Sequence, residues 1–318
     1  MTSEDVVVMM IVMVVMVVMI VMVVMEMVEM VEMKEMVEMV MMMTTHRSSD
    51  STCLKLGQNK LMFGVVGRAL SSRAGVGAAT YGSIEMGALP SVSKTFALYM
   101  DKDKSFWHDV EALCQEGEEG SVINMVAEIP RGYGYKMEVQ PGVAGNPIAV
   151  DSDGEGNPRV FKYGEGSMPF HYGAMGRTWE DPEEEYESGL AGDGDPLDVV
   201  DISLGLERRI GQVVPLSVLG ILGLIDQGEL DYKVVGVDVN LARQNGWRTV
   251  DDLPQPIVAQ IVDWFVNYKT AEGKGVNDLL WDGRIEGPDV AARVIAHAQL
   301  SYDNLVQDPG RMAQLGMF

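Results

Sequence analysis

The chain has 318 residues, of which 47% are hydrophobic and 22% are charged. This balance is typical of a globular protein and excludes a wholly disordered chain. The net charge is −23 at pH 7, because 47 acidic residues oppose 24 basic ones. Such a field repels the phosphate backbone of nucleic acids, so we expect no nucleic-acid partner, and it favours the binding of cations.

Residues 1–43 differ in composition from the rest of the chain. They hold 16 of the 25 Met residues, and an unbroken apolar run over residues 6–25 precedes a repeat with Glu at every third position. Twenty apolar residues would span a bilayer, but Glu4 and Asp5 stand where a signal peptide carries basic residues. A period of three matches neither a helix nor a strand. We therefore predict an unfolded low-complexity repeat and no membrane association, with a membrane or signal segment as the alternative.

Residues 44–94 are basic, with six Lys and Arg against two acids, and they are rich in Ser, Ala and Gly. This composition is typical of an organelle transit peptide and predicts a plastid or mitochondrial protein. A flexible linker is the alternative, which would leave the protein in the cytoplasm. The two cysteines, Cys53 and Cys114, are too few and too far apart for a zinc ribbon or a disulfide framework.

The folded body is predicted to span residues 95–305, and the acidity belongs to it, since residues 95–318 carry 38 acids and 17 bases. In its first part, the sequence pattern predicts short strands separated by Gly, Pro and Asp residues. These strands are predicted at residues 122–129, 135–139, 158–163, 169–172, 213–225 and 232–239. Many short, closely spaced strands favour a barrel over a parallel sheet.

The end of the body is predicted to be helical. One apolar helix face is formed by Ile257, Ile261, Trp264, Phe265 and Tyr268. A second helix is expected after Gly287 and Pro288, with apolar positions that include Val290, Val294 and Leu305. The pattern predicts a mainly β (α+β) fold, in which two helices pack on a barrel and residues 306–318 form a C-terminal tail.

The densest chemical signal is the run D-G-D-P-L-D, which contains Asp193, Asp195 and Asp198. Three such carboxylates repel one another unless a cation neutralises them, and Mg²⁺ prefers oxygen ligands. The calcium-loop pattern fails, because its twelfth position is Leu204. A solvated turn is the alternative on spacing alone, and it is the interpretation that we favour for the similar pair Asp151 and Asp153.

Further acids, cations and phenols stand near predicted strand or helix ends. The acids are Glu128, Glu138, Asp226 and Asp231, and the others are Lys136, Arg159, Tyr172, Lys233, Tyr268 and Lys269. Each alone is most simply a surface group. As a set, acids that hold metals and cations that hold phosphate oxygens indicate metal-assisted phosphoryl transfer.

Five segments resemble, in order, the soluble family I inorganic pyrophosphatases of the eukaryotic type. They are N-M-V-A-E-I-P-R-G-Y-G-Y-K-M-E-V (124–139), H-Y-G-A-M-G-R-T-W-E-D-P (171–182), G-D-G-D-P-L-D-V (192–199), L-I-D-Q-G-E-L-D-Y-K-V (224–234) and D-W-F-V-N-Y-K (263–269). The resemblance implies a five-stranded OB-like β-barrel with flanking C-terminal helices, and a homodimer. It also implies Mg²⁺-dependent hydrolysis of inorganic pyrophosphate to two orthophosphates by a metal-activated water. The alternatives are an inactive pyrophosphatase-like subunit of a larger assembly and an acidic metal-binding module without turnover.

The resemblance also implies a role for each matched residue. Three residues match principal Mg²⁺ ligands: Asp193, Asp198 and Asp231. Three match outer metal or water contacts: Asp226, Glu128 and Glu138. Asp195 matches the carboxylate that orients or deprotonates the attacking water. The substrate-binding set comprises Lys136, Arg159, Tyr172, Tyr268 and Lys269, with Lys233 as a further lysine of the site.

Two features depart from the family pattern. Met168 stands where eukaryotic members carry a second tyrosine, and the loss of that tyrosine would either weaken proton donation or leave Tyr172 to serve alone. Lys162 competes with Arg159 for the family's arginine position, because that match needs a small gap.

Overall fold

The computed structural model describes residues 83–86, 96–101, 103–115, 121–153, 155–186 and 188–318. The predictions for residues 1–43, and those for most of residues 44–94, lie outside these ranges. Within them, no helix combines the length and the apolar character that crossing a membrane requires.

The described residues form eleven strands. They are β1 (Ser83–Met86), β2 (Ala97–Met100), β3 (Leu113–Gln115), β4 (Val122–Ile129), β5 (Met137–Val139), β6 (Ile148–Val150), β7 (His171–Ala174), β8 (Asp198–Asp201), β9 (Val213–Asp226), β10 (Glu229–Asp238) and β11 (Asp278–Leu279). A four-stranded sheet has the order β1-β2-β6-β5, and a seven-stranded sheet has the order β11-β9-β10-β8-β7-β4-β3. Strand β4 also pairs with β9, so the pairings run in a ring through β4, β9, β10, β8 and β7. The mainly β, OB-like prediction with flanking C-terminal helices is therefore confirmed.

The strands of this ring are buried on both faces, because successive residues enter two different apolar clusters. One cluster contains Val126, Val200 and Val235, and the other contains their chain neighbours Met125, Val199 and Val234. Double burial explains why β9 and β10 read as nearly continuous apolar runs rather than as a polar and apolar alternation.

The hairpin that joins β9 and β10 places acids at the end of the ring. Gln227 and Gly228 have φ values of 56° and 96°, as a two-residue turn of the type favoured in β-hairpins requires. Asp226 pairs with Glu229 across this turn. Since side chains alternate along a strand, Asp231 and Lys233 of β10 share one face.

Two of the predicted strands need correction. Residues 158–163 form only isolated bridges, Tyr135 with Val160 and Ser152 with Pro158, and not a strand. Pro158 has no N–H to donate, and two glycines with positive φ, Gly164 and Gly166, follow soon after. The strand predicted at residues 169–172 begins only at His171, past Pro169.

Four α-helices occur in the described ranges: α1 (Val239–Asn245), α2 (Gln255–Asn267), α3 (Pro288–Val306) and α4 (Pro309–Leu315). The predicted face of α2 is buried at Ile261, Trp264 and Phe265 and packs on the cluster that contains Val126. Helix α3 packs Ala291, Val294 and Ile295 on the other cluster. Helix α2 therefore packs on one cluster, whereas α3 contacts both, because its Tyr302 and Leu305 belong to the cluster that contains Val126.

Helix α4 lies in the segment that the sequence predicts as a tail. The Asp308 side chain caps its first turn by accepting from Arg311 N, and Gly316 ends it in the left-handed conformation. Beyond it, the carbonyl oxygen of Phe318 accepts hydrogen bonds from His108 Nε2 at 2.8 Å and Asn146 Nδ2 at 3.0 Å. The packed body thus continues past Leu305 to Phe318.

Candidate active site

All thirteen candidate residues line one cleft of about 240 Å³ at the end of the ring. They are Glu128, Lys136, Glu138, Arg159, Tyr172, Asp193, Asp195, Asp198, Asp226, Asp231, Lys233, Tyr268 and Lys269. Lys162 is not among the lining residues, so of the two rivals only Arg159 reaches the cleft.

Strand pairing brings the central carboxylates together. Strands β8 and β10 are parallel, and their register sets Asp198 opposite Lys233, two residues after Asp231. Lys233 Nζ lies 2.5 Å from Asp198 Oδ2 and also donates to Asp231 Oδ1. Tyr172 Oη donates to the same Asp198 oxygen. One buried lysine therefore pairs with two of the acids in this part of the cleft and leaves their combined charge only partly balanced.

Glu180 joins this cluster, although the sequence analysis gave it no role. Oxygen atoms of Glu180, Asp193 and Asp231 all lie within 4.8 Å of one another. Glu180 is 1% exposed, and its Oε1 accepts from Tyr232 N at 3.0 Å, whereas its buried Oε2 has no hydrogen-bond partner in the described part of the chain. Converging carboxylates with an unsatisfied buried oxygen fit the needs of a divalent cation.

The backbone of Glu180 fixes the loop that carries Asp193 and Asp195. Glu180 N donates to Asp195 O at 2.9 Å, and Gly194 N donates to Glu180 O at 2.8 Å. A Cβ at Gly192 would lie 2.4 Å from the Glu180 backbone, so this close approach requires glycine. The signal that could have identified Glu180 is its place between Trp179 and Asp181 in the matched T-W-E-D-P run.

Crowding of the carboxylates makes them hard to ionise. Burial and the Asp195 carboxylate raise the pKa of Asp193 to about 7, against the opposing effect of Lys233. Burial and, less strongly, Asp193 raise the pKa of Asp231 to about 8, although Lys233 lowers it. Desolvation by the cleft walls and the Glu138 carboxylate raise the pKa of Asp195 to about 7, even though Asp195 keeps an exposed face. At neutral pH the cluster therefore favours a bound proton or a bound cation.

Glu128 lines the cleft at a point where the strand register shifts. The pairing of β4 with β7 shifts between Ala127 and Ile129, which is the kind of irregularity that re-aims a side chain. Glu128 Oε1 accepts from Val139 N at 2.6 Å. Burial, followed by the Asp198 carboxylate, raises the pKa of Glu128 well above its usual range.

Two cations of the cleft, Lys136 and Arg159, share the Asp151 carboxylate as a partner. Lys136 Nζ lies 2.6 Å from Glu138 Oε2 and 3.1 Å from Asp151 Oδ2, and Arg159 Nη1 lies 2.7 Å from the same Asp151 oxygen. Burial disfavours the charge of Lys136, but Glu138 and Asp151 raise the pKa of Lys136 above its usual value. Lys136 therefore keeps its positive charge, and both Lys136 and Arg159 are held in the cleft by acids.

The prediction of a solvated turn was wrong for Asp151, whose side chain is only 17% exposed, and right for Asp153. Asp153 Oδ1 accepts from the backbone N–H groups of Glu155 and Asn157 in a turn. Asp151 instead directly follows β6, and backbone bonds to Lys136 and Arg159 hold it between those two residues.

The residues at the end of α2, Tyr268 and Lys269, also line the cleft. Tyr268 is stacked on Trp264 with ring centroids 6.3 Å apart, and Lys269, which is buried, donates to both carboxylate oxygens of Asp226. Burial and the nearby Asp226 carboxylate raise the pKa of Tyr268, so this hydroxyl stays protonated.

Met168 is buried in the same cleft, and its thioether cannot donate a proton. Burial and Asp198 raise the pKa of Tyr172 well above its usual value, so Tyr172 keeps its hydroxyl proton. The cleft as a whole contains acids that can hold a metal ion, together with cations and phenols that can hold an anion.

The chain is similar to proteins of one family. A family model described as inorganic pyrophosphatase matches residues 125–303. The inorganic pyrophosphatase of Drosophila melanogaster is 34% identical over 239 residues, which cover 72% of this chain and 69% of that protein. The soluble inorganic pyrophosphatase 6, chloroplastic, of Arabidopsis thaliana is 32% identical over 65% of this chain and 67% of that protein.

Solved structures agree with these sequence relationships. The type I inorganic pyrophosphatase of Toxoplasma gondii has a TM-score of 0.64 and 33% identity, covering 71% of this chain and all of that one. The inorganic pyrophosphatase of Schistosoma japonicum has a TM-score of 0.65 and 30% identity, covering 70% of this chain and 80% of that one. The chain therefore belongs to the soluble family I inorganic pyrophosphatases.

Proposed function

We propose that the chain is an inorganic diphosphatase that hydrolyses pyrophosphate to two orthophosphates with Mg²⁺ as its cofactor. The observation that carries this proposal is that metal-binding and anion-binding groups line one cleft. Carboxylates converge around Asp193 and Asp231, and Lys136 and Arg159 line the same cleft. A polyanion that arrives with a divalent cation satisfies both kinds of group.

The proposed Mg²⁺ ligands are Asp193, Asp198 and Asp231, with Asp226, Glu128 and Glu138 as outer contacts to metal or water. The all-oxygen donor set supports Mg²⁺ rather than a metal that prefers nitrogen or sulfur. Bound Mg²⁺ would supply a water of lowered pKa and would neutralise charge on the phosphate oxygens.

Asp195 is the proposed general base, because it lines the cleft between the proposed metal ligands Asp193 and Asp198 and keeps an exposed face. Its carboxylate would accept a proton from the attacking water. Lys136 and Arg159 would bind phosphate oxygens and hold the electrophilic phosphorus in place, and Asp151 keeps both cations oriented.

The leaving phosphate would be held by Lys233, Tyr268 and Lys269. Tyr172, whose hydroxyl is protonated at neutral pH, would donate its proton to this group. Positive charge and hydroxyl donors at this position stabilise the charge that develops as the bridging bond breaks.

Phosphate release from pyrophosphate by the full chain at millimolar Mg²⁺ tests this proposal. We expect turnover that depends on Mg²⁺ and stops when the metal is chelated. The alternative is a pyrophosphatase-like structural subunit without activity, and the absence of hydrolysis by a folded, Mg²⁺-binding chain would favour it.

We further propose that the protein acts in a plastid or a mitochondrion. The basic, acid-poor composition of residues 44–94 supports targeting, and a chloroplastic name among the relatives favours the plastid. The test is the mature N-terminus, determined by mass spectrometry on protein from its native cells. Cleavage between residues 44 and 94 is expected, whereas an intact N-terminal segment would favour the cytoplasm.

The protein is also proposed to be a homodimer, by analogy with the eukaryotic branch of the family. Light scattering coupled to size-exclusion chromatography measures the mass directly. A mass of twice 34.8 kDa for the full chain is expected, and a mass of 34.8 kDa would contradict the proposal.

A further inference from the structure

Helix α4 places one arginine against the segment that precedes the metal cluster. Arg311 Nη2 lies 2.7 Å from Asp181 Oδ1 and 2.9 Å from Glu183 Oε2. The guanidinium carbon of Arg311 is 4.9 Å from the ring centroid of Trp179. Arg311 therefore contacts both residues that flank Glu180 in the chain.

The contacts to Asp181 and Trp179 are more sheltered than an ordinary surface ion pair, whereas the Glu183 side chain is 74% exposed. The Arg311 side chain is 24% exposed, that of Asp181 is 6% exposed, and Trp179 is fully buried. Partial desolvation strengthens a charge-assisted hydrogen bond, and a planar guanidinium can stack on an indole while it donates to a carboxylate. Lysine can make the ion pair but cannot reproduce the stacked arrangement.

The segment that Arg311 holds is bonded directly to the loop of the central carboxylates. Gly192 N donates to Asp181 O at 3.0 Å, and the Glu180 backbone exchanges hydrogen bonds with the 194–195 stretch. The Glu180 side chain reaches Asp193 and Asp231 from this same backbone. A continuous series of contacts thus joins Arg311 to three carboxylates of the cleft.

We propose that Arg311 is a positioning residue for the metal site. It fixes Trp179 and Asp181, and these two residues in turn fix the backbone of Glu180 between them. This inference rests on the proposed function for the identity of the metal. Arg311 thus links the C-terminal helix to the metal site, although this helix lies outside the segments that carry the family motifs and Arg311 is not among the residues that line the cleft.

The test compares three variants of the full chain: Arg311→Ala, Arg311→Lys and Met312→Ala. Met312, on the same helix, is partly buried against the core, so its substitution weakens the packing of α4 without removing the contacts to Trp179 and Asp181. Mg²⁺ affinity is measured by isothermal titration calorimetry, thermal stability by circular dichroism, and kcat by phosphate release.

We expect Arg311→Ala to weaken Mg²⁺ binding by about tenfold, the lower end of the range for residues that orient metal ligands indirectly. Arg311→Lys should recover part of this loss, because it keeps the charge pair and loses the stacking. Met312→Ala should lower the melting temperature and leave Mg²⁺ affinity at the wild-type value.

Two results would overturn the inference: wild-type Mg²⁺ affinity in Arg311→Ala, or an equal loss of affinity in Met312→Ala. If Arg311→Ala does not fold, Arg311→Lys decides, and wild-type affinity in that variant refutes a role for the stacked geometry. Calorimetry separates this inference from the proposed function. A wild-type chain that binds Mg²⁺ but releases no phosphate contradicts the function and leaves the role of Arg311 to be decided by affinity.

Discussion

Lys233 faces Asp198 across the parallel pairing of β8 and β10, and its Nζ lies 2.5 Å from Asp198 Oδ2. The same Nζ donates to Asp231 Oδ1, and Lys233 is only 2% exposed. Burial disfavours its charge, but Asp198 and Asp231 raise the pKa of Lys233 well above its usual value. Without a metal ion, this ammonium group is the main counter-charge of the acidic cluster.

Replacing Lys233 by Met should therefore leave buried acids without their partner. We expect the metal-free variant to lose about 3 kcal/mol of unfolding free energy at pH 7.5, as when one member of a buried pair is removed. Urea denaturation followed by tryptophan fluorescence measures the loss, and Mg²⁺ should restore part of it. Lys274→Met, at an exposed position of the cleft rim, is the matched control and should change stability little. Equal urea midpoints for the Lys233 variant and wild type would contradict the assigned counter-charge.

The metal-free protein should become less stable as pH rises from about 5 to 8. The pKa values of Asp193, Asp195 and Asp231 are about 7, 7 and 8 in the folded chain, above the usual value of 3.8. The folded state then binds more protons than the unfolded state throughout this range, so unfolding free energy falls with pH. The lowered pKa of His171 acts in the opposite sense, but only one group is involved.

Melting temperatures measured from pH 5 to pH 8, with EDTA or with Mg²⁺, check this expectation. Mg²⁺ should stabilise the protein more at pH 8 than at pH 5, because the cation replaces the protons that the cluster has lost. A metal-free melting temperature that rises over the same range would show that the carboxylates ionise normally.

The sequence predicts those features of this fold that depend on local pattern. The strands at residues 122–129 and around residues 213–239 carry long apolar runs, and the face of α2 repeats Ile261, Trp264 and Phe265 at helical spacing. Helix α4 has no such run, because it is short and is stabilised by the Asp308 cap and by contacts distant in sequence. Residues 158–163 include Val160, Phe161 and Tyr163, which favour strands, but Pro158 has no N–H to donate to a strand ladder.

In the candidate site too, the sequence predicts the residues that belong to local motifs and not those whose place depends on distant contacts. Every residue matched to a family motif and given a role lines the cleft, since the motifs combine residue type with order along the chain. Glu180 and Asp151 were missed because their positions depend on how distant backbone segments pair. Asp151 and Asp153 look alike in sequence, and only the backbone bonds to Lys136 and Arg159 distinguish them.

Asp195→Asn should abolish turnover and preserve the fold. The amide cannot accept a proton from water near neutral pH, so kcat should fall by about 10² to 10⁴. The Asp195 backbone N–H donates to Asp193 Oδ1 at 3.0 Å, and this contact survives the substitution. Phosphate release and circular dichroism together measure the outcome. A kcat near the wild-type value would refute the assignment of Asp195 as the general base.

Glu180→Gln should separate metal binding from folding. The amide oxygen can still accept from Tyr232 N, and the substitution removes a carboxyl group whose pKa burial and Asp193 raise well above its usual range. The metal-free variant should therefore be at least as stable as wild type at pH 8, while Mg²⁺ affinity falls by about tenfold. Calorimetry measures the Mg²⁺ affinity, and thermal melting measures the stability of the metal-free variant. Unchanged Mg²⁺ affinity would indicate that Glu180 is a structural acid of the cluster and not part of its metal site.

Asp151→Ala should impair substrate binding more than catalysis. Asp151 Oδ2 lies 2.7 Å from Arg159 Nη1 and 3.1 Å from Lys136 Nζ, so its loss frees two cations that are proposed to grip phosphate. We expect KM for pyrophosphate to rise by about tenfold, the equivalent of roughly 1.4 kcal/mol of binding free energy, with a smaller fall in kcat. Asp153→Ala is the matched control, because it removes a carboxylate two residues away that accepts backbone hydrogen bonds in a turn and does not line the cleft. Steady-state kinetics at saturating Mg²⁺ distinguish the two variants, and an equal KM for both would show that Asp151 does not orient the cations.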